Sequence, residues 1–152
     1  MFQAFLKDSV LKEIEVEAKR HADKKLEAMG LLLGNCYSWQ GEKYVVIDMV
    51  LMSEMQATAV SVKFSENGLK DLLKKYSESG GSKLIVGWWH SHPSYDCFLS
   101  SIDVSTQEAM FSEDFNVALV VDPFRNENDR MKKRFFKVKD KRFYEVSFAV
   151  MK

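Results

Sequence analysis

Four short apolar runs, separated by stretches of helical periodicity, constrain this chain more than any other feature. They are LEAMGLLLGNCY (Leu26–Tyr37), KYVVIDMVLMSEM (Lys43–Met55), KLIVGWWH (Lys83–His90) and NVALVVD (Asn116–Asp122). Each is too short to span a membrane and is bounded by turn residues, so each reads as a buried strand. The first two flank WQGE (Trp39–Glu42), a turn signal that joins them as a hairpin. Between the runs lie amphipathic helices. Leu6, Val10, Leu11, Ile14, Ala18 and Ala22 recur at helical spacing, with Asp8 or Ser9 as cap and an end near Lys25. Ser65–Ser79 places Leu69, Leu72, Leu73 and Tyr76 on one face, framed by Ser65 and the stop Gly80-Gly81. A third helix begins at Ser100 and runs to Phe111. Val60–Phe64 reads as a short strand, Phe124–Arg134 as a mobile polar loop, and Arg134–Val150 as strand material bent near Asp140. The fold class is α/β: a mixed central sheet flanked by helices.

The 152 residues fit a single domain, 1–152, large enough to bury a core without disulfides. Lys plus Arg equals Asp plus Glu at 22 each, and this zero net charge argues against nucleic-acid or membrane-surface binding. Two cysteines in a chain that needs no staple, Cys36 and Cys97, indicate a reducing, cytoplasmic setting. The first twenty residues lack the basic start and apolar run of a secretory signal.

The chemistry concentrates in GWWHSHPSYDCFLSSID (Gly87–Asp103). His90 and His92 are two residues apart in an extended stretch, so both imidazoles face the same way. Pro93 biases His92 further toward extended backbone. Asp103 sits in the first turn of the following helix, where its carboxylate can reach back. Two imidazoles and one carboxylate suit Zn²⁺ and leave a fourth position open, as in catalytic sites. A plainer reading stands beside this one. His-x-His pairs arise by chance, Asp103 favours the helix dipole, and Ser100-x-x-Asp103 resembles a capping box. The third histidine, His21, falls in the charged part of the first helix and reads as solvated. Glu27 either ends that helix at the surface or enters the core edge, where a carboxylate is costly unless paired.

This constellation resembles the JAMM (MPN-plus) zinc metalloproteases: a Glu, then His-x-His-Pro, a short loop and Ser-x-x-Asp. Here the pattern is Glu27, His90-Ser91-His92-Pro93 and Ser100-Ser101-Ile102-Asp103. EAMGLLLG and NVALVVDP are similar to the neighbouring family strands, and GWWHSHPSYDCFLSSIDVSTQ is similar above all to the proteasome-lid deubiquitinase branch. The resemblance implies a cytidine-deaminase-like MPN fold and one Zn²⁺ per chain held by His90, His92 and Asp103. It makes Glu27 the general base and Ser100 a hydrogen-bond donor to the oxyanion.

It further implies hydrolysis of the isopeptide bond between the C-terminal Gly-Gly of ubiquitin or a ubiquitin-like modifier and a lysine. The modifier's extended tail would add as a strand. By position, Ser53, Glu54, Met55, Gln56, Ala57, Thr58 and Ala59 correspond to the family insertion that pairs with it. Trimming of a sulfur-carrier precursor with the same diglycine tail is the alternative, and a non-catalytic MPN scaffold is the third. The lid subunits carry long C-terminal helices, whereas this chain ends at Lys152. A stand-alone enzyme of prokaryotic, archaeal type, monomeric or a homodimer, is therefore expected. Cys97 reads as a small packed residue, Trp88 as a core residue or a wall of the site, and the basic run Lys132–Arg142 as a solvated strand face.

Overall fold

A computed structural model of the chain describes residues 1–53 and 66–152. Its elements in order are β1 (Ala4–Lys7), α1 (Asp8–Ala22), β2 (Met29–Trp39), β3 (Glu42–Met52), α2 (Glu66–Glu78), β4 (Leu84–Ser91), α3 (Ser101–Met110), β5 (Val117–Glu127), β6 (Arg130–Lys139), β7 (Arg142–Val146) and β8 (Phe148–Met151). The strand expected at Val60–Phe64, the Ser65 cap and positions 54–59 of the expected pairing segment lie outside the described residues. No described helix is long and apolar enough to cross a membrane.

The eight strands form one mixed sheet in the order β7-β6-β5-β4-β2-β3-β1-β8. β4 and β5 run parallel, as do β1 and its two neighbours; the other pairs are antiparallel. The edge strands β7 and β8 are separated in sequence by Ser147 alone, so the sheet curls until its two edges nearly meet. Gln3 N–H donates to the Ser147 carbonyl at 3.0 Å, and the Phe135 and Phe148 rings lie 5.0 Å apart across the seam.

Alternation along the strands divides the core in two. One side packs Leu11, Ile14 and Ala18 of α1 against Leu32, Ile47, Trp89, Leu119 and Phe135. The other packs Leu72 of α2 and Val104 of α3 against Leu31, Leu33, Trp88, Val120 and Phe136. The tight contact of β2 with β3 requires Gly30, because a Cβ there would lie 2.1 Å from the Leu51 carbonyl oxygen. Three hairpins close on two-residue turns with both residues at positive φ: Gln40-Gly41, Asn128-Asp129 and Asp140-Lys141. Such turns match the right-handed strand twist.

Several sequence expectations are corrected. Leu6 lies not on the first helix but in β1, which parallels β3, and the helix begins at Asp8 after Lys7, without a side-chain cap. The supposed mobile loop at Phe124–Arg134 is a β5–β6 hairpin. β5 passes through Pro123 by means of a register break between Asp122 and Asn126, where proline is tolerated. His21 is 4 % exposed, on the buried face of α1, where its Nδ1 lies 3.1 Å from the Glu17 carbonyl oxygen. Leu73 is exposed rather than buried. Lys133 and Lys137 in the basic run are buried, their long aliphatic stems sharing the parity of Phe135.

Candidate metal centre

β4 is the central strand at the site. It is paired on one side with β2 (Met29 opposite His90) and on the other with β5 (His90 beside Val120). That double pairing buries its end completely, and the extended path continues past Ser91 because His92 N–H donates to the Val121 carbonyl at 2.8 Å. His90 and His92 consequently point to one face, as their spacing requires. Glu27 shares the parity of Met29 at the entry to β2. The chain there is fastened to β4 by a reciprocal pair: Ser91 N–H donates to the Ala28 carbonyl at 3.0 Å, and Ala28 N–H donates to Ser91 Oγ at 2.8 Å. Glu27 is 3 % exposed, so the reading of a surface helix end does not hold.

α3 delivers the third group. Ser100 is its N-cap and forms a complete capping box with Asp103: Asp103 N–H donates to Ser100 Oγ at 3.1 Å, and Ser100 N–H donates to Asp103 Oδ2 at 2.9 Å. The plain and the chemical readings of Ser-x-x-Asp therefore coexist. The box fixes the carboxylate, and the same Oδ2 lies 3.1 Å from His90 Nε2 and 3.3 Å from His92 Nε2. The two Nε2 atoms are 3.0 Å apart.

These separations suit a tetrahedral ion. Ligand atoms about 2.0–2.1 Å from zinc at tetrahedral angles lie roughly 3.3 Å from one another. His90, His92 and Asp103 form the one group of three or more metal-ligating side chains among the described residues, and all three are buried. Two buried polar atoms without partners lie here too, Glu27 Oε2 and Asp103 Oδ1. Orphaned buried atoms are rare in folded proteins, and an ion with its water is a standard explanation.

The electrostatics follow from this crowding. Burial pushes Glu27 up to about 8; the charge of His92 opposes the shift and Asp103 adds to it. Burial also works to raise Asp103, but His90, His92 and the Ser100 N–H outweigh it and hold the carboxyl well below its usual range. Burial drives His90 down against the pull of Asp103. Burial works to lower His92 too, but its contacts with Asp103 and with the Asp96 carbonyl outweigh it and raise it overall.

Two neighbours set the ring orientations: the Asp96 carbonyl, which the sequence did not single out, and Trp88, which it did. His92 Nδ1 lies 3.0 Å from the Asp96 carbonyl oxygen. A carbonyl only accepts, so Nδ1 carries a proton, and Nε2 is the nitrogen turned toward Asp103 and His90 that a metal ion can take. His90 is oriented by stacking: its ring lies 4.5 Å from that of Trp88 at 17°, and Trp88 in turn stacks on Phe111 and donates its indole N–H to Gln107. Trp88 is thus both a core residue and a wall of the site. Phe98 and Tyr95, both exposed, flank His92 with ring centroids 4.9 and 6.2 Å away. Cys97 packs beside the second core, its Sγ 3.6 Å from the Lys132 carbonyl oxygen, and burial pushes its thiol up to about 12. Ser53 closes β3, where its N–H donates to the Met29 carbonyl at 3.1 Å, close to the start of β2.

Comparison with known proteins agrees with this architecture. The chain is 35% identical over 125 residues to COP9 signalosome complex subunit 5 of Oryza sativa subsp. japonica, covering 78% of this chain and 33% of that protein. It is 37% identical over 108 residues to 26S proteasome non-ATPase regulatory subunit 14 of Dictyostelium discoideum, covering 66% and 33%. Over 110 residues it is 37% identical to ubiquitin carboxyl-terminal hydrolase RPN11 of Saccharomyces cerevisiae, covering 66% and 33%. The chain thus spans about a third of the length of these relatives. In solved structures, its fold matches a protein of Desulfitobacterium hafniense with a TM-score of 0.69 at 18% identity, over 97% of this chain and 92% of that one. The family model described as JAB1/Mov34/MPN/PAD-1 ubiquitin protease matches residues 3–114. That match runs from β1 through α3 and takes in every residue of the buried cluster, and the chain accordingly belongs to this JAB/MPN family.

Proposed function

We propose that this protein is a zinc-dependent isopeptidase that cuts between the C-terminal Gly-Gly of a ubiquitin-like modifier and a substrate lysine. The observation that carries this reading is the convergence of His90 Nε2, His92 Nε2 and Asp103 Oδ2 beside the buried Glu27 carboxylate. His90, His92 and Asp103 would hold one Zn²⁺. The bound ion supplies Lewis acidity toward water and toward the scissile carbonyl.

The chain's own groups do the rest. Glu27 would accept a proton from the attacking water and return it to the departing amine, acting as general base and then general acid. Ser100 Oγ already accepts the Asp103 N–H, which leaves its own hydroxyl proton free to donate to the developing oxyanion. No covalent intermediate is required. By position, Ser53–Ala59 corresponds to the family segment beside which the modifier's extended diglycine tail would lie as an added strand. Single-domain organisation over 1–152 and a cytoplasmic setting belong to the same reading.

The test is cleavage of a lysine-linked ubiquitin-like conjugate by zinc-loaded protein, alongside a chelator-treated sample and a linear diglycine-extended precursor. Release of modifier from the conjugate that stops with chelator is the expected result. Cleavage of the linear precursor alone would replace the isopeptidase with a precursor-trimming peptidase. No cleavage of either by a chain that holds zinc would overturn the reading of a self-sufficient enzyme.

A further inference from the structure

Asp122 is fully buried at a point where the metal-centre reading gives it no role, and its carboxylate is saturated with donors. Oδ1 accepts the backbone N–H of Ser94 at 3.0 Å and of Phe124 at 2.9 Å. Oδ2 accepts the backbone N–H of Asp96 at 2.8 Å and Arg125 Nε at 2.9 Å. Two of these four donors belong to the loop that follows His92. In that loop Ser94 and Asp96 have φ of 74° and 68°. Non-glycine residues in this region cost about 1–2 kcal/mol each, so the surroundings must hold them there. The carboxylate supplies that hold by gripping both residues at once.

The loop reports directly to the site. Asp96, fixed at its N–H by Asp122, presents its carbonyl to His92 Nδ1 at 3.0 Å. The Asp96 side chain is pinned independently, by Lys132 Nζ at 2.6 Å and by the Cys97 N–H at 2.8 Å. Asp122 itself is anchored to the same strand system as His92, one residue past the Val121 carbonyl that accepts the His92 N–H. A rigid path therefore runs from the Asp122 carboxylate through the Asp96 peptide to the imidazole, and no other described residue grips both Ser94 N–H and Asp96 N–H.

We propose that Asp122 is a positioning residue that sets the ring orientation and tautomer of His92 through the Asp96 carbonyl, leaving Nε2 free to bind the metal. His90, oriented by Trp88, is outside this relay. The proposal rests on the metal-centre reading, and its test separates the two. Asp122→Asn keeps the shape, but either orientation of the amide turns an NH₂ group toward two N–H donors. Asp122→Ser keeps one acceptor and adds no such conflict.

The experiment combines zinc titration against a chromophoric chelator with long-range imidazole ¹H–¹⁵N spectra of the whole chain. Wild type is expected to bind one zinc with His92 protonated at Nδ1. Outer groups that orient a ligand are worth about 10- to 100-fold in metal affinity, so about a 10-fold loss is expected in Asp122→Asn and a smaller one in Asp122→Ser. The His92 signals should shift to mixed tautomers while those of His90 stay unchanged. Unaltered zinc affinity with His92 still protonated only at Nδ1 would overturn the proposal. So would equal disturbance of both histidines, or failure of both variants to fold, since either makes Asp122 a structural residue only. A wild-type chain that binds no zinc would refute the metal-centre reading and this proposal with it, an outcome visible before any variant is made.

Discussion

Ser91 sits between the two histidines but faces away from them, and its removal should uncouple Glu27 from the site. Its hydroxyl accepts the Ala28 N–H at 2.8 Å, and both residues are buried. In Ser91→Ala that N–H keeps no partner and no access to water. Such a loss costs about 1–3 kcal/mol. With an unfolding entropy of roughly 2.1 cal/mol/K per residue over a chain of this length, Tm should fall by about 3–9 °C. The reciprocal bond from Ser91 N–H to the Ala28 carbonyl remains, so the strands stay paired while the entry to β2 loosens. Glu27 is the residue immediately before that junction. Misplacing a catalytic group by about 1 Å costs on the order of 100-fold, so turnover should fall by about 10- to 100-fold at unchanged zinc content. Differential scanning calorimetry and single-turnover kinetics read the two effects. A Tm within about 1 °C of wild type would refute the reasoning, because the buried N–H would then have found another partner.

Two further outcomes follow from the titrating groups. In the metal-free protein Glu27 is raised from 4.5 to about 8, so the folded state binds the extra proton between those values. Its contribution to stability is fully present below about pH 4.5 and is lost as pH rises toward 8, with a ceiling on the order of 5 kcal/mol. Urea unfolding of chelator-treated wild type and Glu27→Gln should therefore diverge between pH 5 and 8, and parallel curves would contradict the burial of this carboxyl. Cys97, pushed up to about 12, should resist iodoacetamide at pH 8 in the native state, with modification counted by mass spectrometry. Rapid labelling of Cys97 in the folded chain would show that the loop does not shield it.

The sequence exposed those parts of the site that rest on local geometry. The alternation of an extended strand aligns His90 with His92, and the Ser100–Asp103 capping box fixes the carboxylate within one helical turn. β4 and the first halves of β2 and β5 are legible because burial on both faces makes them continuously apolar, whereas β3, with only Val45 and Ile47 buried, is legible from its run of β-branched and apolar residues. What escaped depends on tertiary pairing. β1 is four residues long, and Leu6 also fits the period of α1, so strand and helix merged into one pattern. The β5–β6 hairpin carries Arg125, Glu127, Arg130 and Arg134, whose charges imitate a loop until ion pairs such as Arg134–Glu127 and Arg130–Glu15 account for them. Ser91 and Asp122 have no sequence signature as supports, because each acts on backbone groups brought beside it only by folding. His21 looked solvated among charged neighbours, yet it falls on the buried face of α1 with Ala18 and Ala22.

The central claim is that His90, His92 and Asp103 hold one zinc ion while Glu27 moves the proton. Glu27→Gln, measured for bound zinc and for cleavage of a lysine-linked ubiquitin-like conjugate in the same preparation, tests it most directly. The expected result is one zinc per chain, as in wild type, with turnover reduced by at least about 100-fold, as befits a group that transfers protons in the reaction. Full activity in the glutamine variant would contradict the account, and so would loss of zinc together with activity, since Glu27 would then belong to the metal's ligands rather than to its base.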